Sequence, residues 1–185
     1  MPSVIRLKKG LNIKLAGRAE KILLPETPVT RYGVRFDDFP NLTAKLEAKE
    51  GMPVKAGTVL FHDRNIPEIK YVSPVSGVVR EIIRGEKRLL LEVAIEQQGN
   101  ESEVFPTADP LSLTREEVRS RILESGLWPV IRQRPYHIVA RPGAVPKSIF
   151  ISAFDTAPPA PDVDFIMANT RGGHLQAGIN ALSRL

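Results

Sequence analysis

The amino-acid sequence predicts an α+β protein with more than one domain. Between Leu42 and Ile95, short β-prone runs follow one another and are closed by glycines, which is typical of a small all-β unit. A helix-start signal follows at Thr114, and the last part of the chain runs in the order strand, loop, helix. This order is typical of an α/β domain, so we expect an all-β unit followed by the beginning of an α/β unit.

The composition excludes several kinds of chemistry. The chain has 185 residues, 42% of them hydrophobic, so it can bury a core. It contains no cysteine, which excludes disulfides, thiolate metal sites, iron–sulfur clusters and a cysteine nucleophile. The three histidines, His62, His137 and His174, show no zinc-binding spacing. We therefore predict no metal site and name no catalytic residue.

The charge and hydropathy patterns limit the partners and the location. A net charge of +5 suits an anionic partner, such as nucleic acid or an acidic membrane surface. Lysines and arginines are dispersed among acidic residues without interleaved aromatics, so nucleic acid is not expected. No apolar run approaches the roughly 20 residues that span a bilayer, and Met1–Gly10 lacks the apolar core of a signal peptide. The sequence thus predicts a cytoplasmic chain without a membrane span.

Residues 1–40 are expected to hold N-terminal strands and a connecting segment. Ile5–Ala16 alternates loosely around Gly10, which indicates a short strand pair or an edge strand leading into the all-β unit. A connecting stretch follows, marked by Pro25, Pro28, Gly33 and Pro40.

Residues 41–104 are expected to form a β-sandwich. The last run alternates, and it predicts one buried face that carries Leu89, Leu91, Val93 and Ile95. Tight turns that need a positive φ or a close backbone approach are predicted at Gly51, Gly57, Gly77 and Gly85.

Residues 105–185 are expected to form a linker, a helix and a partial Rossmann-like α/β domain. Thr114 and Glu117 have the spacing of a capping box, and Gly126 is a natural C-terminal cap. The apolar stripe of this helix consists of Val118, Ile122 and Leu123.

The end of the chain carries the α/β pattern. Lys147–Phe154 is a buried-strand candidate, and it is followed by a proline-rich turn, the run Val163–Met167 and a helix from His174. The helical pattern continues to Leu185 without a cap, so we expect the domain to be truncated and the functional unit to be larger.

Two segments resemble the halves of a biotinyl- or lipoyl-carrier domain, a barrel-sandwich hybrid. They are Glu47–Phe61, which reads EAKEGMPVKAGTVLF, and Ser73–Ile82, which reads SPVSGVVREI. In carriers the modified lysine lies on a hairpin before the second motif, and the corresponding position here is Ile66. Lys70 lies too close to the following strand to crown the hairpin, and we interpret it as a solvated strand residue. The resemblance therefore implies the carrier fold without the carrier lysine.

Two further segments resemble the A subunit of the Na+-translocating NADH:quinone oxidoreductase. They are Ser125–Tyr136, with LWP and RP motifs, and Ile149–Asp162, with FDT and PAPD motifs. The resemblance implies a peripheral subunit on the cytoplasmic side of the bacterial inner membrane, whose partners are the other subunits of a sodium-exporting complex. It also implies that this chain holds no cofactor, that NADH, flavins and iron–sulfur centres belong to the complex, and that quinone is a candidate ligand.

The same region resembles more distantly the flavoprotein subunit of respiratory complex I and the C subunit of Rnf-type complexes. In the complex I flavoprotein, a glycine-rich loop after the helix holds the flavin phosphate through backbone N–H groups. Here Trp128, Pro129 and Val130 occupy that loop, and proline supplies no donor. FMN is therefore not expected on this loop.

Some residues remain weak candidates for binding an anion or quinone. Arg132 and Arg134 are anion candidates, although arginines beside a proline are more often solvated or paired. Trp128 is a quinone candidate, with a packing role as the preferred interpretation. Arg171, Gly172 and Gly173 precede a helix and suggest a phosphate, although such a glycine pair is usually a turn. The carboxylates of Asp155, Asp162 and Asp164 do not have the spacing of a Ca2+ loop.

These observations leave three functional hypotheses. The first is an assembly or quinone-proximal subunit of the sodium-pumping NADH dehydrogenase. The second is a flavin- or nucleotide-binding dehydrogenase subunit that uses the α/β domain. The third is an acyl or biotinyl carrier, for which the lysine is missing.

Overall fold

The computed structural model describes residues 9–10, 16–17, 20–25, 27–152, 157, 160–169 and 172–185. The strand pair or edge strand predicted at residues 5–16 falls almost entirely outside this part of the chain. The strands are β1 Arg31–Arg35, β2 Ala44–Leu46, β3 Pro53–Val54, β4 Val59–Asp63, β5 Lys70–Val72, β6 Gly77–Arg84, β7 Leu90–Gln97, β8 Arg132–Gln133 and β9 Ile138–Val139. The α-helices are α1 Arg115–Glu124, α2 Val163–Asn169 and α3 Gly172–Leu182.

The first seven strands form the predicted β-sandwich. One sheet has the order β1-β7-β6-β3 and the other has the order β2-β4-β5, and all neighbouring strands are antiparallel. The fully buried apolar side chains of the sandwich are Leu60, Phe61, Ile69, Val79, Val93, Ala94 and Ile95. All of them except Ala94 belong to one cluster of buried residues, so the sandwich has a continuous apolar core.

Strand β1 lies in the stretch that was expected to be a connection, and that expectation was wrong for residues 31–35. Tyr32 pairs with Ile95 and Val34 with Val93, which makes β1 an edge strand. Gly33, which was expected to mark the connecting stretch, lies inside the strand. A Cβ atom there would lie 2.5 Å from Oε1 of Glu92, so a larger residue at this position would require the Glu92 side chain to move.

The predicted buried face of β7 is only half correct. Val93 and Ile95 are fully buried, but Leu89 is 62% exposed. The register changes from Ile83 opposite Glu92 to Arg84 opposite Leu90, so one extra residue is inserted in β7. Such a bulge reverses the inward and outward alternation, and Leu90 packs against the core instead.

Helix α1 has the predicted start and end. The Thr114 hydroxyl accepts a hydrogen bond from the backbone N–H of Glu117, and the Glu117 carboxylate accepts one from the backbone N–H of Thr114. At the other end Gly126 has φ 71°. A Cβ atom on Gly126 would lie 2.4 Å from Cγ1 of Val72, so a glycine is needed where α1 meets β5.

The packing of α1 joins the two halves of the chain. Its predicted stripe is correct: Val118 and Leu123 are buried, and Ile122 packs against the core. Leu123 and the following Trp128 belong to the same buried cluster as Phe61. The sandwich and the helical segment therefore share one core.

The strand predicted at Lys147–Phe154 is not present where the structure describes it. Residues 147–152 have no regular structure and are exposed, with Phe150 93% exposed. Within the described residues no strand pairs with this segment, and an isolated strand cannot satisfy its backbone hydrogen bonds. The run Val163–Met167 begins helix α2, and the helix predicted from His174 is α3, which starts at Gly172.

Candidate functional site

The hairpin that corresponds to the lysine-bearing hairpin of carriers is packed against the core. It connects β4 to β5, and Ile66 near its apex packs against the core cluster. Thr43 holds the turn in place, because its carbonyl oxygen accepts from the Arg64 N–H at 2.8 Å and its hydroxyl accepts from Nδ2 of Asn65 at 3.2 Å. Lys70 lies in β5 opposite His62, as a strand residue. The apex therefore presents no amine.

The three histidines lie on separate elements. His62 on β4 contacts Oε1 of Glu47 through Nδ1 at 2.6 Å. His137 lies in the turn between β8 and β9, and His174 lies on α3. Among the residues with a described position, no group of three histidine or carboxylate side chains is placed to hold a metal ion.

The Trp128 loop is part of the core. Trp128 is 4% exposed and its indole Nε1 donates to the carbonyl oxygen of Ala140 at 2.7 Å. Pro129 is also buried, and the two residues begin a short 3-10 helix that ends at Val130. The indole is thus a packing anchor between α1 and the sandwich, and Pro129 supplies no backbone N–H donor at this loop.

Arg132 connects the helical segment to the sandwich. Its Nη2 donates to the carbonyl oxygen of Asp38 at 2.9 Å, and its guanidinium carbon lies 5.5 Å from the centre of the Phe39 ring. The buried Nη1 has no hydrogen-bond partner within the described part of the chain. These contacts give the guanidinium a structural role at the junction. By contrast, Arg134 is exposed in the turn between β8 and β9.

An aromatic cluster lies beneath Arg132, and sequence reasoning missed it. Phe61 stacks on Tyr71 with ring centres 4.7 Å apart, and Phe39 contacts Tyr71 edge-on at 4.6 Å. Burial, assisted by the Asp63 carboxylate and opposed by Arg132, raises the pKa of the Tyr71 phenol to about 12. The sequence did contain a signal for this cluster. Phe36 and Phe39 flank two aspartates within the stretch that was interpreted as a connection.

Of the remaining anion candidates around residue 172, the structure describes the two glycines. Gly172 and Gly173 are the first residues of α3 rather than a loop before it. Arg171 lies outside the described residues, as does Asp155. Asp162 caps helix α2: its Oδ1 accepts from the N–H of Phe165 at 2.8 Å, and its Oδ2 lies 2.6 Å from Nζ of Lys21.

The electrostatics of Asp162 follow from these contacts. The hydrogen bond from Lys21 and the backbone N–H of Phe165 hold the pKa of the Asp162 carboxyl below its usual range. Asp164 lies in the first turn of α2, where negative charge favours the helix N-terminus. These carboxylates therefore have local structural roles.

An apolar groove of about 360 Å³ lies between α3 and the exposed residues 146–151. It is lined by Pro146, Ser148, Ile149, Ile151, Ile179, Leu182, Ser183 and Leu185. A groove of this size with mostly aliphatic walls suits an apolar ligand or a packed side chain.

The sandwich and the helical segment both match known protein domains. The family model described as the NqrA N-terminal barrel-sandwich hybrid domain matches residues 5–98, and that of the NqrA second alpha/beta domain matches residues 113–185. The chain belongs to the NqrA family. The family matches confirm the predicted resemblance and the predicted fold class, a barrel-sandwich hybrid followed by an α/β domain.

Curated NqrA-family proteins are similar along almost the whole chain. The chain is 37% identical to a protein of Klebsiella pneumoniae, 36% to one of Neisseria meningitidis and 38% to one of Pseudomonas aeruginosa. Each is named as the A subunit of the Na(+)-translocating NADH-quinone reductase. Each comparison covers 98% of this chain and 41% of the relative, so the chain spans less than half the length of these relatives.

Proposed function

We propose that this chain is part of a peripheral subunit of the Na+-translocating NADH:quinone reductase and that it contributes to assembly rather than to chemistry. Its similarity to the A subunits of that enzyme supports membership of the complex. NADH oxidation, quinone reduction and sodium export are then activities of the complex, and its NADH, flavins and iron–sulfur centres belong to other subunits.

The observation that carries the structural role is the packed apex of the carrier-like hairpin. A carrier needs an exposed amine on a protruding turn, because the tethered group has to travel between sites. Here Ile66 packs inward and Thr43 ties the turn down. A hairpin that presents a group in carriers is packed against the core here, which suits a docking module.

The proposed location is the cytoplasmic side of the bacterial inner membrane. Among the described residues, no helix combines the length and apolarity needed to cross a bilayer. Contact with the other subunits is proposed to hold the chain there, because its relatives are named as subunits of that reductase.

The test is co-purification from cells that produce the full-length subunit together with the other subunits of the pump. A tag on this subunit is expected to recover the others in stoichiometric amount, and their absence would contradict the proposal. Intact mass of the recovered subunit checks the carrier hypothesis, since a biotinyl or lipoyl increment has to appear in a carrier. An absorbance spectrum of the separated subunit checks the flavin hypothesis in the same preparation.

For quinone contact we propose the apolar groove beside α3 rather than the Trp128 loop. The Trp128 ring is enclosed by the core, whereas Ile149, Ile151 and Ile179 line an open groove that suits an isoprenoid chain.

A photoreactive quinone analogue and peptide mapping test this placement in the full-length subunit. Labelling is expected in peptides around 146–151 and 179–185 and is expected to fall in Ile179→Ser. The matched control is Leu175→Ser, because Leu175 is exposed on the same helix but does not line the groove. Labelling that both variants leave unchanged would place quinone elsewhere.

A further inference from the structure

The hairpin of β6 and β7 extends beyond its neighbours in the sheet. The last β1 pair on β7 is Arg35 with Glu92, whereas β6 and β7 continue to the pair Arg84 and Leu90. A tight turn over Glu86–Arg88 closes the hairpin, and the Gly85 N–H donates to the carbonyl oxygen of Leu89 at 2.8 Å. We define residues 84–89 as the hairpin tip.

The hairpin tip combines unpaired cations with an exposed leucine. Lys87 and Arg88 are exposed and have no ion-pair partner in the part of the chain that the structure describes. Arg84 donates to the carbonyl oxygen of Arg88 at 3.5 Å. Beside them the Leu89 side chain is 62% exposed. With Glu86 as its one acidic residue, the tip carries a net positive charge.

Other arginines of the same sheet are arranged differently. Arg31 pairs with Glu81 across the sheet at 3.4 Å, and Arg80 pairs with Glu96 at 3.8 Å. Unpaired positive charge on this sheet is therefore concentrated at the tip. The contrast provides a control within the sheet, because paired and unpaired cations can be removed in equal number.

The backbone of the tip is held in an uncommon conformation. Lys87 has φ 53° and Arg88 has φ 62°, in the left-handed region that glycine and asparagine adopt more readily. The turn thus carries two long cationic side chains at positions where smaller residues would be less strained. Strained backbone on a binding surface is a common feature of functional loops.

From this combination we infer that the hairpin tip docks on the headgroups of an anionic phospholipid surface. Lysine and arginine are attracted to such a surface, and their aliphatic stems let an adjacent apolar residue enter the interface. Leu89 supplies that residue, whereas a purely acidic protein partner would leave it unused. The inference is independent of the proposed role in assembly, because it requires only this chain and lipid.

Co-sedimentation with vesicles tests the inference with the 185-residue chain alone. Binding is expected to vesicles of phosphatidylglycerol and phosphatidylethanolamine, to fall at high salt, and to be absent with phosphatidylcholine. The double variant Lys87→Asn and Arg88→Asn removes two charges, and asparagine tolerates the positive φ at both positions. It is expected to bind about 25-fold more weakly, at about fivefold per charge near the surface.

The matched control is the double variant Arg31→Gln and Arg80→Gln, which removes the same net charge from the paired positions. It is expected to bind within about threefold of the unchanged chain, since each of these arginines already has a carboxylate partner. Leu89→Ser is expected to weaken the binding that remains at high salt. Far-ultraviolet circular dichroism verifies that each variant is folded.

Three results would overturn the inference. They are equal losses in the two double variants, equal binding to anionic and neutral vesicles, and no binding of the unchanged chain. If vesicles are not bound but the tip variants fail to co-purify with the other subunits, the partner is an acidic protein surface. That result would also leave the proposed role in assembly intact.

Discussion

Arg132 donates a hydrogen bond of 2.9 Å from Nη2 to the carbonyl oxygen of Asp38, which lies 94 residues earlier in the chain. The same guanidinium lies over the ring of Phe39. Arg132→Ala is expected to lower the free energy of unfolding by about 2 kcal/mol, since a charged hydrogen bond and a cation–π contact are lost. Urea unfolding followed by circular dichroism measures the change.

The control for this prediction is Arg134→Ala, which removes an exposed arginine from the adjacent turn. Its free energy of unfolding is expected to stay within about 0.5 kcal/mol of the unchanged chain. Equal losses in the two variants would mean that the Arg132 contacts contribute nothing specific.

The indole hydrogen bond of Trp128 gives a second prediction. Trp128→Phe keeps an aromatic ring in the core but leaves the carbonyl oxygen of Ala140 without its 2.7 Å donor. The expected loss of stability is about 1–2 kcal/mol, measured by thermal unfolding. Val130→Ala in the same loop is the control, because Val130 is 74% exposed. A fully stable Trp128→Phe variant would contradict the role of the indole N–H.

The contact between α1 and β5 gives a third prediction. Gly126→Ala is expected to destabilise the chain by about 2–3 kcal/mol, because a methyl group would overlap Val72 and the φ of 71° is strained for alanine. Gly143→Ala is the matched control, since an added Cβ there meets nothing within 4 Å. Urea unfolding measures both variants. Similar midpoints for Gly126→Ala and Gly143→Ala would contradict the prediction.

The raised pKa of Tyr71 gives a prediction about alkaline pH. With a folded pKa of about 12 against an ordinary value of 10.0, the native state keeps its phenol proton where the unfolded state loses it. The unfolded state then binds fewer protons, so the free energy of unfolding falls as pH rises. The contribution is fully present below about pH 10 and is lost as pH approaches 12.

The measurement is the stability difference between the unchanged chain and Tyr71→Phe as a function of pH. It is expected to shift by about 1–2 kcal/mol across this range in favour of the phenylalanine variant. Tyr136→Phe, at an 80% exposed tyrosine, is expected to show no such shift. A flat difference for Tyr71→Phe would show that the phenol titrates normally.

Features determined by neighbours in sequence were predictable. The capping box of Thr114 and Glu117 and the glycine cap at Gly126 depend on residues a few positions apart, and the structure has both. The place of Ile66 in a hairpin was also predictable, because the two motifs lie on either side of it, and the structure has Ile66 between β4 and β5.

Features determined by distant contacts were not predictable. The partner of Arg132 is a backbone oxygen in another part of the chain, so no local pattern indicates it. The exposure of Leu89 follows from a bulge in the pairing of β6 with β7, which depends on both strands. The strand predicted at Lys147–Phe154 was inferred from side chains alone, although a strand also requires a neighbour to accept its hydrogen bonds.

The shared buried cluster has a thermodynamic consequence. Leu123 and Trp128 lie in the same cluster as Phe61, Val93 and Ile95, although separate family models match the two regions. The two regions matched by the family models therefore do not have separate hydrophobic cores. Scanning calorimetry of residues 27–145 is expected to show one transition whose calorimetric and van't Hoff enthalpies agree. Cleavage of the linker would expose to solvent the apolar surface that the two regions bury together. Neither product is therefore expected to have the unfolding temperature of the intact chain.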